Sequence, residues 1–209
     1  MQPQPAPKPA KNRLHQDGRD MFWSLAPLVL ACIVLAGLVG TCSLQTNGPK
    51  PGKPPSYDAA TALNADAETL GFPIRLPKLP QGWQPNSGAR NGLDAGRTDP
   101  ATSQPVRAKV STVGYLTPTG MYVSLTQSDA DEDKLVRWLE PSMYPSGTQD
   151  VAGVKWIVYD GGDREEPLWT TRLGGSGGGA QIAITGAGGT DEFRTLAIAT
   201  QSASPLPAS

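Results

Sequence analysis

The most distinct hydrophobic pattern in the chain is an uninterrupted run without charged residues, from Met21 to Gln45. It is longer than the roughly 18 apolar residues that suffice for a membrane-spanning helix. Aromatic side chains at its start suit the headgroup level of a bilayer, and a proline near the first helical turn is tolerated there. Two glycines near its end have a spacing that is found where membrane helices touch. The run therefore predicts a transmembrane helix over residues 21–45, with the anchor residues Phe22, Trp23, Pro27, Gly37 and Gly40.

Two other fates of this segment remain open from the sequence. A cleaved signal peptide has a short apolar core and a small-residue cleavage site, whereas this run is long and no such site follows it. Cleavage as a lipoprotein would attach lipid to Cys42, although Thr41 fits poorly before a modified cysteine. We therefore expect a retained single-pass anchor, with Cys42 as the alternative lipidation site. The basic leader should stay in the cytoplasm, which places the C-terminal domain outside the plasma membrane.

The composition on either side of the run divides the rest of the chain. Residues 1–20 are polar and carry alternate prolines, which predicts a disordered cytoplasmic tail. Residues 46–56 are rich in proline, glycine and lysine, so we expect an extended linker. Residues 57–201 are enough for one extracytoplasmic domain with its own core, and residues 202–209 are expected to be a second disordered tail.

Beyond the linker, most apolar residues alternate with polar ones, which indicates β-strands. The predicted strands lie at residues 72–76, 83–89, 107–117, 121–128, 154–160, 168–173 and 180–186, with a polar loop over 90–105. Three stretches have helical spacing instead, one capped by Ser56, one ended by Pro141 and one capped by Thr190. The pattern predicts an α+β fold in which helices cover a mainly antiparallel sheet.

Two of these stretches follow a similar plan. "MYVSLTQSDADEDKLVRWL" and "AQIAITGAGGTDEFRTLAI" each combine an alternating strand, a small or polar turn, an Asp-Glu pair and a helix. About three predicted strands precede each Asp-Glu pair. The plan suggests two β-β-β-α units, and a chance similarity between two capped helices is the rival interpretation.

Charge and reactive residues narrow the chemistry of the domain. The formal net charge is -1, so no strong positive field indicates nucleic-acid binding. The only cysteines are Cys32 and Cys42, and the only histidine is His15, so all three precede the domain. The domain therefore has no thiol or imidazole for a disulfide, a His-based triad or a His-ligated zinc site. We predict no catalytic residue and no cofactor for it.

One acidic cluster has a spacing that metal sites use. Asp129, Asp131, Asp133 and Glu140 fall at positions 1, 3, 5 and 12 of a calcium-loop pattern. Lys134 occupies the position where the sharp turn of such a loop needs glycine. The stretch also fits a helix whose first turn is acidic, which the helix dipole favours. The helical interpretation is preferred over the calcium site.

Two further features have a structural and a functional interpretation. "GGSGG" at residues 174–178 matches a nucleophile-elbow motif, but a strand follows it and the domain has no histidine, so we expect a flexible hairpin loop. The tryptophans of the domain are more often core residues than a ligand platform. If some of them share an exposed groove, they indicate a sugar or apolar-ligand site. These tryptophans are Trp83, Trp138, Trp156 and Trp169.

Three segments resemble a known family. They are "QDGRDMFWSLAPLVLACIVLAGLVG", "GFPIRLPKLPQGW" and "VAGVKWIVY", and they are similar to an actinobacterial family of membrane-anchored proteins called domain of unknown function 4245. The resemblance implies one N-terminal spanning helix followed by an extracytoplasmic α+β domain. It implies no catalytic residue.

These observations support three hypotheses about function. The first is a membrane-anchored binding or scaffolding module of the bacterial cell envelope, with the lipid bilayer and an envelope protein, lipid or glycan as partners. The second is a histidine-independent envelope enzyme that uses carboxylates or a Ser–Lys pair. The third is a structural subunit of a membrane complex that pairs through its spanning helix.

Overall fold

A computed structural model describes residues 16–38, 55–162, 166–175 and 178–208, and within the first range it describes the side chains of residues 21–35. The chain divides into two compact units, Met1–Gly52 and Lys53–Ser209. Each unit is described by itself below. Gly40, Cys42 and most of the predicted linker lie outside the described residues.

The first unit contains one long helix, α1, over Gln16–Leu38, with Pro27 inside it. The helix begins earlier than predicted, so it includes the last residues of the leader that we expected to be disordered. Its apolar side chains are exposed, including Phe22, Trp23 and Leu30, and Cys32 is a free exposed thiol. Among the described side chains, no helix is long and apolar enough to cross a membrane.

The second unit is built on one antiparallel sheet of seven strands in the order β1-β2-β3-β7-β6-β5-β4. The strands are β1 Gln84–Thr98, β2 Pro105–Leu116, β3 Tyr122–Ser128, β4 Tyr144–Val151, β5 Val154–Asp160, β6 Leu168–Gly175 and β7 Gly178–Gly186. The two strands that precede the last two helices, β3 and β7, pair at the centre of the sheet. The predicted α+β class with a mainly antiparallel sheet is therefore confirmed.

Three helices cover the two faces of the sheet: α2 over Ala59–Thr69, α3 over Glu132–Leu139 and α4 over Thr190–Ser202. Side chains of β7 alternate between two cores. Ile182 and Ile184 pack in the larger core with Phe193 of α4, whereas Ala183 packs in the smaller core with Leu135 of α3. The larger core also contains residues of α2, so α2 and α4 share one face and α3 covers the other.

The two halves suggested by the sequence differ from one another. The first half consists of three strands followed by α3, and the second half consists of four strands followed by α4. The two helices lie on opposite faces of the sheet. A true repeat about the central strand pair would keep both helices on the same face. The similarity of the two stretches therefore reflects the acidic first turn that both helices have, and not a shared arrangement.

Several boundaries correct the sequence-based prediction. The polar loop expected over 90–105 is mostly strand, because β1 pairs with β2 as far as Thr98 and buries Leu93 and Ala95 beneath α3. The edge strand β4 was not predicted, since most of its side chains are exposed and polar. Asp58, and not Ser56, caps α2 by accepting a hydrogen bond from Thr61 N at 3.0 Å. Gly189, and not Thr190, is the cap residue of α4.

The segment 72–76 is not the edge strand that its alternation indicated. It crosses the face that α2 and α4 cover, where Gln127 of β3 holds it from below. The Gln127 side chain accepts a hydrogen bond from Arg75 N and donates one to Arg75 O, each at 2.9 Å. Chain residues after α4, which we expected to be loose, lie against this segment, and Leu206 N donates to Ile74 O at 2.8 Å. The stretch "LPKLPQGW", which leads to Trp83, begins at the last residue of this segment.

Candidate functional site

The four carboxylates with calcium-loop spacing have structural roles. Asp129 accepts hydrogen bonds from Lys109 N at 2.7 Å and from the guanidinium of Arg97. Asp131 is the N-terminal cap residue of α3, Asp133 lies in its first turn, and Glu140 is its C-terminal cap residue. Within the described residues, no group of three or more histidine, cysteine or carboxylate side chains is placed to hold a metal ion. The spacing is thus explained by a helix start and an ion pair at its entrance.

Two other hypotheses from the sequence were a Ser–Lys pair and a nucleophile elbow in the glycine-rich stretch. The Lys109 amine donates to the carbonyls of Thr69 and Leu70 at the end of α2, so it caps a helix and does not activate a serine. The glycine-rich stretch continues β6 into β7, with Gly175 paired to Gly178. It is a hairpin, as predicted, and no helix follows it.

The tryptophans fall into different environments. Trp156 and Trp169 are buried in the larger core, and Trp138 of α3 is 39% exposed on the opposite side of the sheet. Trp83 is half-buried and lines two cavities on the face that α2 and α4 cover. We call the two cavities together the Trp83 groove.

The first cavity, the aromatic cavity, has a volume of about 320 Å³. Its walls include three aromatic side chains, Tyr57, Trp83 and Tyr115, together with Pro85 and the cap residue Asp58. Tyr57 enters the cavity because its backbone N–H donates to Pro85 O at 3.0 Å. Its ring lies over Gly88 of β1, where a Cβ would occupy the same space. The glycine is therefore required for the position of this ring.

Trp83 is presented by a tight turn. Its backbone N–H donates to Pro80 O at 3.4 Å, and Gly82 has a φ of 95°, a conformation that side-chain-bearing residues rarely adopt. Pro118 lies against Gly82 and lines the second cavity. The turn places the tryptophan just before β1, where its half-buried ring packs against the larger core.

Tyr115 of β2 forms the floor of the aromatic cavity. It is 2% exposed, and its hydroxyl has no hydrogen-bond partner among the described residues. Burial raises the pKa of this phenol far above its usual range, so it stays neutral and can donate a hydrogen bond. A buried hydroxyl without a partner costs about 1–3 kcal/mol, so an acceptor at this point would be stabilising.

The second cavity, the acidic cavity, has a volume of about 490 Å³ and lies at the start of α4. Asp191 and Glu192 line it, together with Trp83, Pro118 and Thr119. The Glu192 carboxylate accepts hydrogen bonds from the Thr119 hydroxyl at 2.6 Å and from Gly189 N. These two bonds, the first above all, lower the pKa of Glu192. Asp191 is exposed in the first turn of the helix.

The charges and hydrogen-bond donors of the groove give it a defined polarity. Its charged lining residues are all acidic, namely Asp58, Asp191 and Glu192. Tyr57 and Trp83 each carry a hydrogen-bond donor on their rings, and the buried Tyr115 hydroxyl has no partner within the described parts of the chain. The groove thus combines ring surfaces, hydrogen-bond donors and negative charge.

Sequence reasoning identified the tryptophans but did not single out Trp83. A usable signal was present, since three prolines and a glycine precede or flank it in "LPKLPQGWQP" and exclude a regular strand there. Tyr57 and Tyr115 had no comparable signal, because a tyrosine in a linker end and one in an alternating strand are both ordinary.

A comparison with known families shows to which family the chain belongs. Residues 13–200 match the family described as "Protein of unknown function (DUF4245)". The chain belongs to this family. The predicted membership of domain of unknown function 4245 is confirmed, whereas its actinobacterial origin and its membrane anchor stay predictions; the matched range contains α1, the whole sheet and every residue of the Trp83 groove. No curated protein and no solved structure matches the chain.

The DUF4245 description assigns no activity, so the site must be interpreted from its chemistry. In the described residues of this family member, the Asp58 and Glu192 carboxylates accept hydrogen bonds from the backbone at helix starts and from the hydroxyls of Thr61 and Thr119. A preformed cavity with aromatic walls and a few polar groups is typical of binding sites.

Proposed function

We propose that this DUF4245 protein is a membrane-anchored module of the bacterial cell envelope, and that its outward-facing domain binds a ligand in the Trp83 groove. The observation that carries the proposal is the pair of cavities that meet at Trp83. Their volumes, about 320 and 490 Å³, fall within or near the range of about 300–1,000 Å³ that ligand pockets occupy.

The anchor is supported by the sequence and by the first unit. Residues 21–45 contain no charged residue, and the exposed side chains of α1 in this stretch are mostly apolar. Exposed apolar area of this kind is costly in water and favourable in lipid. The basic leader gives the orientation, with the N-terminus in the cytoplasm.

Binding is favoured over catalysis by the chemistry of the groove. General acid–base catalysis requires a titratable group placed to exchange a proton with the substrate. The lowered pKa values of Asp58 and Glu192 keep both carboxylates ionised near neutral pH, since hydrogen bonds from Thr61 and Thr119 respectively stabilise the charged forms. They are therefore suited to attract positive charge and not to deliver a proton.

Thiol labelling tests the anchor and its orientation, because both native cysteines lie at or near α1. Cys32 and Cys42 are replaced by serine, and a single cysteine is introduced either at Ser146 on the exposed edge strand or at Gln4 in the leader. A membrane-impermeant maleimide should label the Ser146→Cys chain in intact cells, and the Gln4→Cys chain only after permeabilisation. Both chains should remain with the membrane after a carbonate wash.

The opposite labelling pattern, or release of both chains by carbonate, would overturn the anchored orientation. The mass of the native protein separates the remaining alternatives. A full-length mass supports a retained helix, a truncated mass indicates a cleaved signal, and a truncated mass with added acyl chains indicates lipidation at Cys42.

A further inference from the structure

We infer that the Trp83 groove binds an extended, proline-rich segment of a partner protein that carries lysine or arginine side chains. This inference rests on the proposed function and adds to it the chemical class of the ligand. Three properties of the groove lead to it: its charge, its aromatic walls with their hydrogen-bond donors, and its division into successive cavities.

The charge of the groove favours cationic ligands over anionic ones. Among the described residues that line it, the charged ones are Asp58, Asp191 and Glu192. The start of α2 offers no free amides to a phosphate, because Thr61 N donates to the Asp58 carboxylate and Ala62 N donates to Asp58 O. A ligand with lysine or arginine side chains complements this surface.

The donors and rings match the backbone of a polyproline helix. Such a helix has no internal hydrogen bonds, so its carbonyl oxygens are available as acceptors. The Tyr57 hydroxyl and the Trp83 indole N–H are donors on residues that line the groove, above the buried ring of Tyr115. Proline-rich ligands characteristically dock in grooves with aromatic walls, where each ring fills a slot and the carbonyls accept hydrogen bonds.

The arrangement of the cavities suits an extended chain better than a compact molecule. The aromatic and acidic cavities lie on either side of Trp83, and a third cavity of about 400 Å³ shares Leu76 with the aromatic one. Lys78 lines this third cavity. The positive side chains of the ligand therefore belong at the acidic end of the groove, near Asp191.

The groove is also largely preformed, which reduces the cost of binding. Pro85 and Pro118 are rigid wall residues, and Gly82 fixes the turn that presents Trp83. A polyproline ligand is likewise ordered before it binds. Less conformational entropy is lost when both partners are preorganised.

Fluorescence anisotropy with full-length protein in mild detergent tests the inference. The probe is a labelled peptide of Pro-Pro-Lys repeats, and the comparators are Pro-Pro-Glu repeats, polyproline and Gly-Gly-Lys repeats of equal length. We expect saturable binding of the Pro-Pro-Lys peptide and at least about tenfold weaker binding of each comparator.

Two variants with matched controls locate the site. Trp83→Ala should weaken binding of the Pro-Pro-Lys peptide by about tenfold or more, as expected for an aromatic residue at the centre of an interface. Trp138→Ala, which removes an exposed tryptophan on the opposite face, should leave binding unchanged. Asp191→Asn should weaken binding of the Pro-Pro-Lys peptide but not of polyproline, and Asp133→Asn in the first turn of α3 should affect neither.

Other outcomes overturn the inference as a whole. Equal affinity for the Gly-Gly-Lys peptide would identify a general cation site, and full binding by the Trp83→Ala chain would place the peptide elsewhere. Absence of saturable peptide binding would reject the ligand class. In that case, a response of Trp83 to tetramethylammonium or to a soluble envelope glycan would leave the proposed binding function standing, so the two failures are distinguishable.

Discussion

Asp66 of α2 is a buried carboxylate. The sequence pattern predicts a helix at this position but does not predict that the carboxylate is buried. It accepts hydrogen bonds from the Ser111 hydroxyl of β2 and from the Arg90 guanidinium of β1. Asp66 is 3% exposed, whereas much of the Arg90 side chain reaches solvent. These two hydrogen bonds join α2 to β1 and β2, so the attachment of this short helix to the sheet does not depend on its small apolar face alone.

Ser111→Ala should lower the free energy of unfolding by about 1–3 kcal/mol, because it leaves one oxygen of a buried carboxylate without its donor. Chemical denaturation of the full-length chain measures this change. Ser146→Ala on the exposed edge strand is the matched control and should change stability by less than about 0.5 kcal/mol. A Ser111→Ala chain as stable as the control would show that Asp66 does not depend on this bond.

Glu192 links pH to stability at the start of α4. Its pKa in the folded protein is lowered from the ordinary value of 4.5 by the Thr119 hydroxyl and by Gly189 N. A carboxylate with a lowered folded-state pKa contributes stability above its unfolded-state pKa, and this contribution is lost as the pH falls through the folded-state value.

Glu192→Gln should therefore lower the melting temperature at neutral pH, and the difference from the parent chain should shrink as the pH is reduced below about 4. Thermal unfolding across this pH range measures the effect, and Glu68→Gln on the exposed side of α2 is the control. A difference that is constant with pH would contradict the assigned role of the carboxylate.

At the scale of elements, the least predictable feature is the segment 72–76. Its alternation of Phe72, Ile74 and Leu76 resembles a strand, and two of these side chains are indeed buried. The segment nevertheless has no strand neighbour, because its backbone partners are the Gln127 side chain and the C-terminal residues. A local pattern indicates which side chains are buried, but it does not indicate which group forms hydrogen bonds with the backbone.

Gln127→Ala should detach this segment from the sheet. Hydrogen exchange by mass spectrometry should show faster exchange of the amides of Arg75 and Leu206, since both depend on the segment staying in place. Gln149→Ala on β4 removes a glutamine whose side chain accepts a bond from Arg194, and exchange at residues 72–76 should be unchanged in it. Equal protection in the Gln127→Ala chain would contradict the role of this side chain.

The junction between β3 and β7 depends on a close backbone approach at Gly186. Gly186 has a φ of 140°, and a Cβ there would lie 2.3 Å from Tyr122 O and 2.8 Å from Val123 Cα. These are backbone atoms of the central strand, so they cannot move aside as a flexible side chain could. The glycine is therefore required by packing as well as by conformation.

Gly186→Ala should lower the free energy of unfolding by about 1–3 kcal/mol more than Gly120→Ala does. Gly120 also has a positive φ, of 83°, but nothing lies within 4 Å of a Cβ at that position. The comparison separates the steric effect from the conformational one. Equal losses of stability in denaturant titrations would show that the contact with β3 is relieved elsewhere.

The strands could largely be predicted where alternation marks a buried face. The predicted range 154–160 agrees with β5, and the predicted strands 107–117 and 121–128 correspond to β2 and β3. The prediction failed for β4 and for the second half of β1, where polar and small residues conceal the pairing. In these strands, backbone hydrogen bonds to a neighbour decide the structure, and the neighbour is not visible in the local sequence.

At the scale of the whole molecule, the site could not be predicted from local pattern. The groove brings together Tyr57 before α2, Trp83 at a turn, Tyr115 on β2 and Asp191 at the start of α4. These positions are widely separated in sequence, and only the antiparallel order of the sheet places them side by side. Conversely, the proposed anchor depends on one contiguous stretch, which is why it could be predicted from the sequence alone.

The central claim is that this protein is a module of the cell envelope that binds its ligand in the Trp83 groove. Fluorine NMR of 5-fluorotryptophan tests this claim most directly. The chain has five tryptophans, and in the sheet domain they distinguish the groove, the opposite face and the core. Full-length protein in mild detergent is titrated with detergent-solubilised cell envelope, and the Trp83→Phe chain assigns the resonance. We predict that the Trp83 signal shifts or broadens while that of Trp138 stays unchanged. An unaltered Trp83 signal, or a change confined to Trp138, would contradict the account.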